Sequence, residues 1–425
     1  MSEIGKEAVV NGTDPAEILP STARAQRSIS VIRSEEEFRG LERDWKRLFL
    51  QGRRPVPFLA WEWVTTWWKH FGKRAALFVV VVKDDAGNVL GIAPLQIATR
   101  KAMGLVPVWS LEFIGYRGSS VSPDHVDFLL SESDSASILK DLVRAIFENR
   151  GEWDRVVLAD LAEDSQVPGT LLDFARAENL TSAELVAETC PWVALPASWD
   201  ALLKAAKEKR RSLIKWRRKK LLQAYKVDFE RLENLQSVQS AIDTLAQLHT
   251  LSRKRKGERG NFFRPDYLAF HHEVAAAMAN AGYLYFAQIV CDGHPAACSY
   301  GFHVGSVLYD YQKGFDPAFS RDGAGSVLTG MVIEDAIERL HASEIDFLRG
   351  SEDYKYFWTS QDRKTKTAFV WAKTPGGGIS EREFTLRRRI APWRRRAAEF
   401  KERVLARRNN NKDKQQPPAS KADSK

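Results

Sequence analysis

Two clusters of residue types in this chain are suited to chemistry, and they lie close together. The first is Arg321-Asp322-Gly323-Ala324-Gly325-Ser326, a small-residue stretch that opens an apolar-periodic segment. A helix start leaves backbone N–H groups unpaired, its macrodipole favours negative charge, and glycine lets a phosphate approach the main chain. A pyrophosphate is the expected guest, and a simple glycine-capped helix is the competing reading. The second cluster is Ser351-Glu352-Asp353-Tyr354-Lys355-Tyr356-Phe357-Trp358, a helical turn carrying two tyrosines, a lysine and two carboxylates. It follows a short predicted strand, Glu344 to Gly350, that contains Asp346.

The surrounding elements must hold both clusters in place. Alternating runs at Tyr283 to Cys291, Pro295 to His303 and Val307 to Lys313 predict a meander that leads through Gly314-Phe315-Asp316-Pro317 into the small-residue loop. Beyond the loop, Val327, Leu328, Met331, Val332, Ile333, Ala336, Ile337 and Leu340 form the stripe of a helix expected from Ser326 to His341, which should pack on a sheet. A strand at Val227 to Leu232 and helices at Leu235 to Lys254 and Pro265 to Ala281 precede the meander.

The first half shows a similar order of elements. Ser28 to Arg33 reads as a strand, Glu35 to Leu50 as a helix, and Trp61 to Phe71 as a tryptophan-rich helix. A hairpin (Ala76 to Lys83, Val89 to Ala98), further strands (Val108 to Ile114, Val126 to Leu130, Arg155 to Leu158) and helices (Ser135 to Asn149, Pro168 to Glu178) follow, and the half closes near Cys190-Pro191. The fold class expected is α/β, with an α+β mixed sheet in each of two similar halves.

Charge divides the chain unevenly. From Arg382 to Lys425 there are fifteen basic and five acidic residues, so the net charge of +9 belongs to the tail. Such a segment suits tRNA or another anionic surface, or is a solvated, partly disordered end. An internal basic block from Lys204 to Lys220 includes Arg210, Arg211, Arg217 and Arg218, interrupted by Leu202, Leu203, Leu213, Trp216 and Leu221 at helical spacing. It suits phosphates, an anionic acceptor or RNA, or is merely a solvated face.

Three cysteines, Cys190, Cys291 and Cys298, have no zinc-like spacing and read as small buried hydrophobes. His249 reads as a core histidine, and His271-His272 lack the partners a metal would need. No apolar run approaches the roughly 20 residues of a membrane span, and Met1 to Gln26, polar and small, are not expected to form a secretory signal. A cytoplasmic setting is expected, without metal and without a transmembrane segment.

The second half resembles the acetyltransferases of the Gcn5-related superfamily. The whole chain resembles the tandem CelD/BcsL-type branch, related to the FemABX peptidyltransferases. The stretches that carry the resemblance are Pro57-Phe58-Leu59-Ala60-Trp61-Glu62-Trp63 with Trp67-Trp68, Gly91-Ile92-Ala93-Pro94-Leu95, Cys190-Pro191-Trp192, the basic helix, Leu248-His249, Gly314-Phe315-Asp316-Pro317, and Asp346-Phe347-Leu348-Arg349-Gly350 with Tyr354-Lys355 and Trp358.

The resemblance implies transfer of an acyl group from acetyl-CoA or another acyl-CoA to an amine or hydroxyl of a small-molecule or saccharide acceptor. It places the donor's pyrophosphate on Arg321, Asp322, Gly323, Ala324, Gly325 and Ser326. It also implies a tyrosine acid, Tyr354 ahead of Tyr356, with Glu352 or Asp346 as base and Lys355 neutralising phosphate or carboxylate. No nucleophilic Ser or Cys arrangement stands out, which favours direct transfer in a ternary complex. The expected divisions are a disordered segment (1–27), a degenerate acetyltransferase-like domain (28–190), the acyl-CoA-binding catalytic domain (191–380) and the basic tail (381–425). Two rival readings are an aminoacyl-tRNA-dependent transferase and a non-catalytic partner in polysaccharide biosynthesis.

Overall fold

The computed structural model describes residues 27–390, apart from 53, 117–120, 122, 233 and 256. The first 26 residues and the tail beyond 390 therefore lie outside the described residues, as do the expectations of disorder placed on them.

The first half runs β1 (Ser28–Ile32), α1 (Glu35–Gly40), α2 (Glu42–Gln51), α3 (Trp61–Phe71), β2 (Ala75–Lys83), β3 (Val89–Ala102), β4 (Val106–Phe113), β5 (Leu129–Leu130), α4 (Ser135–Glu148), β6 (Arg155–Leu161), α5 (Val167–Ala177) and β7 (Thr181–Ala194). The second runs α6 (Trp199–Ala205), α7 (Glu208–Ala224), β8 (Val227–Arg231), α8 (Val238–Arg255), α9 (Pro265–Asn280), β9 (Leu284–Cys291), β10 (His294–Val304), β11 (Val307–Phe315), α10 (Ala324–Glu338), β12 (Glu344–Asp346), α11 (Asp353–Tyr356) and β13 (Asp362–Trp371). A last helix, α12, covers 375–390. Residues 381–390, placed by composition in the tail, are thus helical.

The fold is the mixed α/β type expected. The sheets of the two halves merge edge to edge in the order β1-β2-β3-β4-β6-β13-β7-β12-β11-β10-β9-β8, with β5 beside β3. Each half has an antiparallel meander followed by one parallel pair: β4 with β6 over Ser110–Glu112, and β11 with β12 over Val307–Tyr309. A helix connects each parallel pair, α4 in the first half and α10 in the second, as a parallel crossover requires.

Burial explains why these segments adopt these elements. Leu77 to Val82 is an unbroken apolar run and is buried throughout, the signature of a strand covered on both faces. Trp61, Trp63 and Trp67 of α3 are buried, and Trp63 stacks edge-on against Phe58, Phe270 and Tyr311 at 5.0, 5.3 and 5.6 Å between ring centroids, so one core crosses between the halves. Helix α10 is apolar nearly all round and buried, whereas α7 buries only Ile214 and Leu221. The three cysteines are free and buried.

Two strands have no counterpart in the sequence reading. β7 crosses the expected boundary at 190 and 191, pairing β13 through Pro191 and β12 from Trp192 onward. β13 comes from the end of the second half yet lies between β6 and β7.

Candidate active site

The parallel strands β11 and β12 pair only from Val307 to Tyr309 and Glu344 to Asp346, and then part. A cavity of about 1170 Å³ fills the opening. The now unpaired edge of β11, from Asp310 to Phe315, forms one wall, and Phe347 to Arg349 form the other. Strand edges with free N–H and C=O groups hydrogen-bond an extended, amide-bearing ligand.

At one end stands the N-terminus of α10. Gly323 is its N-cap in the left-handed region (φ 77°), and no side chain caps the helix. Ser326 and Val327 donate their amides to the Gly323 carbonyl, while Gly323, Gly325 and Ser326 line the cavity. Arg217 of α7 lines it beside them, its guanidinium 5.4 Å from the centroid of the Phe357 ring. An uncapped helix start with an arginine beside it is a seat for phosphate.

The rest of that loop faces elsewhere. The Asp322 carboxylate accepts from the Tyr225 hydroxyl at 3.0 Å and pairs with Lys220 at 3.1 Å. Arg321 is exposed and gives its carbonyl to Lys220 at 2.9 Å, and Ala324 is buried under the loop. None of the three lines the cavity, so of the six residues expected only Gly323, Gly325 and Ser326 face it.

The second cluster also lines the cavity, through Glu352 to Lys355, Phe357 and Trp358. Tyr354 is 40% exposed and lines it, its ring edge-on to Phe347 at 6.3 Å. Desolvation in the cavity, with the Asp310 and Glu352 carboxylates, pushes its phenol well above the ordinary value and keeps the proton on. Glu352 also lines the cavity. Burial would raise its carboxyl, but the Lys355 ammonium at 2.9 Å holds it below the usual range, so it is ionised.

Lys355 is 3% exposed and donates to the carbonyls of Leu348, Arg349 and Gly350 at 3.2, 2.6 and 3.3 Å. Its ammonium braces the β12–α11 loop, with Leu348 and Gly350 both at positive φ.

Asp346 is not brought to the site. It is fully buried, paired with Arg54 at 2.8 Å and with His125 and Arg363 at 3.3 Å, and it accepts the Leu348 amide at 2.8 Å. Burial would raise its carboxyl, but His125, Arg54 and that amide hold it below the ordinary value. A carboxylate so enclosed by cations is a structural anchor and not a proton acceptor for a ligand. Tyr356, the second candidate acid, donates to Asp362 at 3.3 Å and does not line the cavity. His249 is a core histidine, as read, with burial pushing it down to about 4.

Several lining residues escaped the sequence reading. Lys313 pairs with Asp310 at 2.6 Å, donates to the Thr329 hydroxyl at 3.1 Å, and sets its ammonium 5.2 Å from the Tyr354 ring centroid. Asp310 and Lys313 are three apart, a spacing that puts side chains on opposite faces of a regular strand. The register explains how they meet. Tyr300 pairs with Gln312 but Phe302 with Tyr309, so Asp310 and Tyr311 together oppose Gly301 and β11 bulges there. Gly301 is required at that point, because a Cβ would stand 2.2 Å from the Tyr309 carbonyl oxygen.

Arg349 joins the halves. From the end of β12 it reaches Asp124 at 2.6 Å, Asp160 of β6 at 3.0 Å and the Pro123 carbonyl at 2.8 Å. Tyr116, Asp160, Thr367 and Phe369 carry the cavity wall across to the first half.

Residues 208–356 match the family described as Acetyltransferase (GNAT) domain. This stretch is a GNAT acetyltransferase domain. The chain therefore carries a GNAT-superfamily acyltransferase domain, and the matched segment runs from the start of α7 to the end of α11, taking in the cradle, the open strand edge and Tyr354. The fold of the whole chain is similar to that of FemX, with a TM-score of 0.54 at 13% identity over 77% of this chain and 95% of that one. It is also similar to a conserved protein of unknown function from Bacteroides thetaiotaomicron VPI-5482, with a TM-score of 0.50 at 10% identity over 81% of this chain and 100% of that one. A tandem GNAT protein from the clavulanic acid biosynthesis pathway aligns at a TM-score of 0.45 and 12% identity, over 82% of this chain and 100% of that one. No curated protein sequence matches this chain.

Proposed function

We propose that the protein moves an acyl group, acetyl in the simplest case, from an acyl-CoA to an amine or hydroxyl of a small-molecule or saccharide acceptor. The observation that carries this reading is the uncapped start of α10 at Gly323 and Gly325, flanked by Arg217, at the end of a cavity bordered by the free edge of β11. Coenzyme A has the matching chemistry: a pyrophosphate for the helix start, and two amides in its pantetheine arm for the strand edge.

The acceptor enters from the first-half wall and attacks the thioester carbonyl. The new bond forms, the carbon–sulfur bond breaks, and Tyr354 protonates the departing thiolate. The acceptor's proton passes to Glu352, directly or through water. Residues 191–380 then form the donor-binding half and 28–190 a degenerate repeat. In support, the helix of the first crossover, α4, has Asp134 at its N-cap, paired with Arg27, so a carboxylate stands where α10 offers glycine. The CelD/BcsL-type branch and a cytoplasmic setting belong to this reading; the latter is supported by three buried, unpaired thiols.

Calorimetric titration with acetyl-CoA tests it. Saturable binding is expected, with a rise in Tm that Gly325→Glu removes by placing a carboxylate in the phosphate seat. Failure of acetyl-CoA and longer acyl-CoAs to bind would refute the reading.

A second reading, transfer from an aminoacyl-tRNA, is favoured by the outer face of α7. Lys207, Lys209, Lys215 and Lys219 are exposed there beside Trp216, which is 57% exposed. Activity that disappears on RNase treatment would select it.

A further inference from the structure

A second cavity, of about 460 Å³, lies beyond the far wall of the site, between strands β3, β4 and β6 of the first half and β13 and α12. Tyr116, Val157 and Phe369 line both cavities, so the two adjoin at these three side chains. The second one is rich in cations: Arg100 and Lys101 from β3, Arg155 from β6 and Arg387 from α12, against the carboxylates of Glu112 and Glu383.

The pairing inside it is incomplete. Arg100 is satisfied by Glu112, with Nε 3.0 and 3.1 Å from the two carboxylate oxygens, and Arg387 by Glu383 at 2.6 Å. Arg155 donates only to hydroxyls, to Ser110 at 3.0 Å and Ser380 at 2.9 Å, and among the described residues neither it nor Lys101 has a carboxylate in ion-pair contact. Burial pushes the Arg155 guanidinium below its ordinary value, with Glu112 and Glu383 offsetting this in part. A half-buried arginine held by two neutral hydroxyls, with a lysine at the rim, leaves charge for an incoming anion to neutralise.

We infer that this cavity is an anion subsite, lined by Arg155 and Lys101, that holds a phosphate or carboxylate borne by the acceptor. The inference rests on the acyl-CoA reading in one respect: the donor's phosphates have their own seat at Gly323 and Arg217, so an anion at the opposite end belongs to the other substrate. The acceptor is then an elongated molecule, with its nucleophile in the main cavity and its anionic end past Tyr116.

A matched series of acceptors tests this on the full chain with acetyl-CoA: hexylamine, 6-aminohexanoate and 6-aminohexyl phosphate. At least one anionic acceptor should exceed hexylamine in kcat/KM by about tenfold or more, the size of a charge-assisted contact, and the better of the two identifies the group. Arg155→Gln should bring the ratio near one, and Lys101→Gln, at an exposed position, should reduce it. Equal use of all three amines, or an advantage that survives both substitutions, would overturn the subsite. Calorimetric binding of 6-aminohexyl phosphate to Gly325→Glu, without donor, reads the subsite apart from the donor seat. Heat lost on adding Arg155→Gln upholds the subsite even if acetyl-CoA never binds. No heat from either 6-aminohexyl phosphate or 6-aminohexanoate, or heat indifferent to both substitutions, defeats it.

Discussion

Arg217 of α7 packs against the N-cap of α10, its Cδ 3.9 Å from where a Cβ on Gly323 would stand. The two residues come from helices separated in sequence by the whole meander, and the anion seat proposed for the donor needs both. Replacing the arginine removes a charged donor from phosphate without disturbing the core. Arg217→Gln is expected to weaken acetyl-CoA binding by about tenfold or more, as charge-assisted hydrogen bonds commonly do, measured by calorimetry at fixed salt. Unaltered affinity would move the phosphates elsewhere.

Gly325 gives a two-sided prediction. Its Cβ would meet Phe315 at 3.8 Å, an ordinary contact, and the residue lies in the first turn of α10. Gly325→Ala should therefore stabilise the fold by about 0.4–1 kcal/mol through the unfolded chain and still bind donor, whereas Gly325→Glu loses binding. Thermal unfolding with and without acetyl-CoA separates the two effects.

Tyr354→Phe removes the proton but keeps the ring against Phe347. A drop in kcat of about 100-fold or more is expected, with the KM for donor changed less than twofold. Full turnover in the phenylalanine variant would reassign the acid.

The two carboxylates named as bases differ in kind. Asp346 is enclosed by Arg54, His125 and Arg363, so Asp346→Asn should cost about 3–5 kcal/mol, as breaking a buried pair does. Glu352 has a side chain 46% exposed, and Glu352→Gln should cost no more than about 1 kcal/mol while lowering turnover. Chemical denaturation and initial rates on both variants provide the contrast.

His125 sets the pH dependence of that buried knot. Burial lowers its pKa, but Asp346 and then Asp124 raise it by more, leaving it above the ordinary 6.5, with Arg54 opposing. A folded value above the unfolded one means that its stabilisation is complete below about pH 6.5 and lost as pH rises through the folded value. Asp346 has the opposite sign: its contribution is present above about pH 3.9 and lost as pH falls through its lowered value. Tm should therefore decline as the pH rises above about 6.5, and decline less in His125→Asn. Parallel profiles in the two proteins would disprove the coupling.

The parts of the site that were legible in the sequence are local. The stripe from Val327 to Ile337 and the glycines before it specify a helix with a bare start, because periodicity and capping are properties of neighbouring residues. The basic run of α7 was equally visible as charge. Which of its cations turned inward was not, since a helix with only Ile214 and Leu221 buried has no strong face of its own. Asp310 and Lys313 stayed hidden because a bulge opposite Gly301 breaks the period-two rule that would have separated them. β13 was hidden for another reason. Asp362–Trp371 alternates weakly, and its partners, Arg155–Leu161 and Thr181–Pro191, lie far back in the chain.

Composition and periodicity were enough to establish a mixed α/β chain, a helix opened by glycines and a polar-aromatic turn after it, because short-range stereochemistry dictates each. Folding then did the selecting. It turned Arg217 toward the cavity and Lys220 toward Asp322, closed Asp346 inside a ring of cations, and inserted the last strand between β6 and β7. Those outcomes follow from the packing of distant segments and the need to pair every buried charge and strand edge, and no local window of residues contains that information.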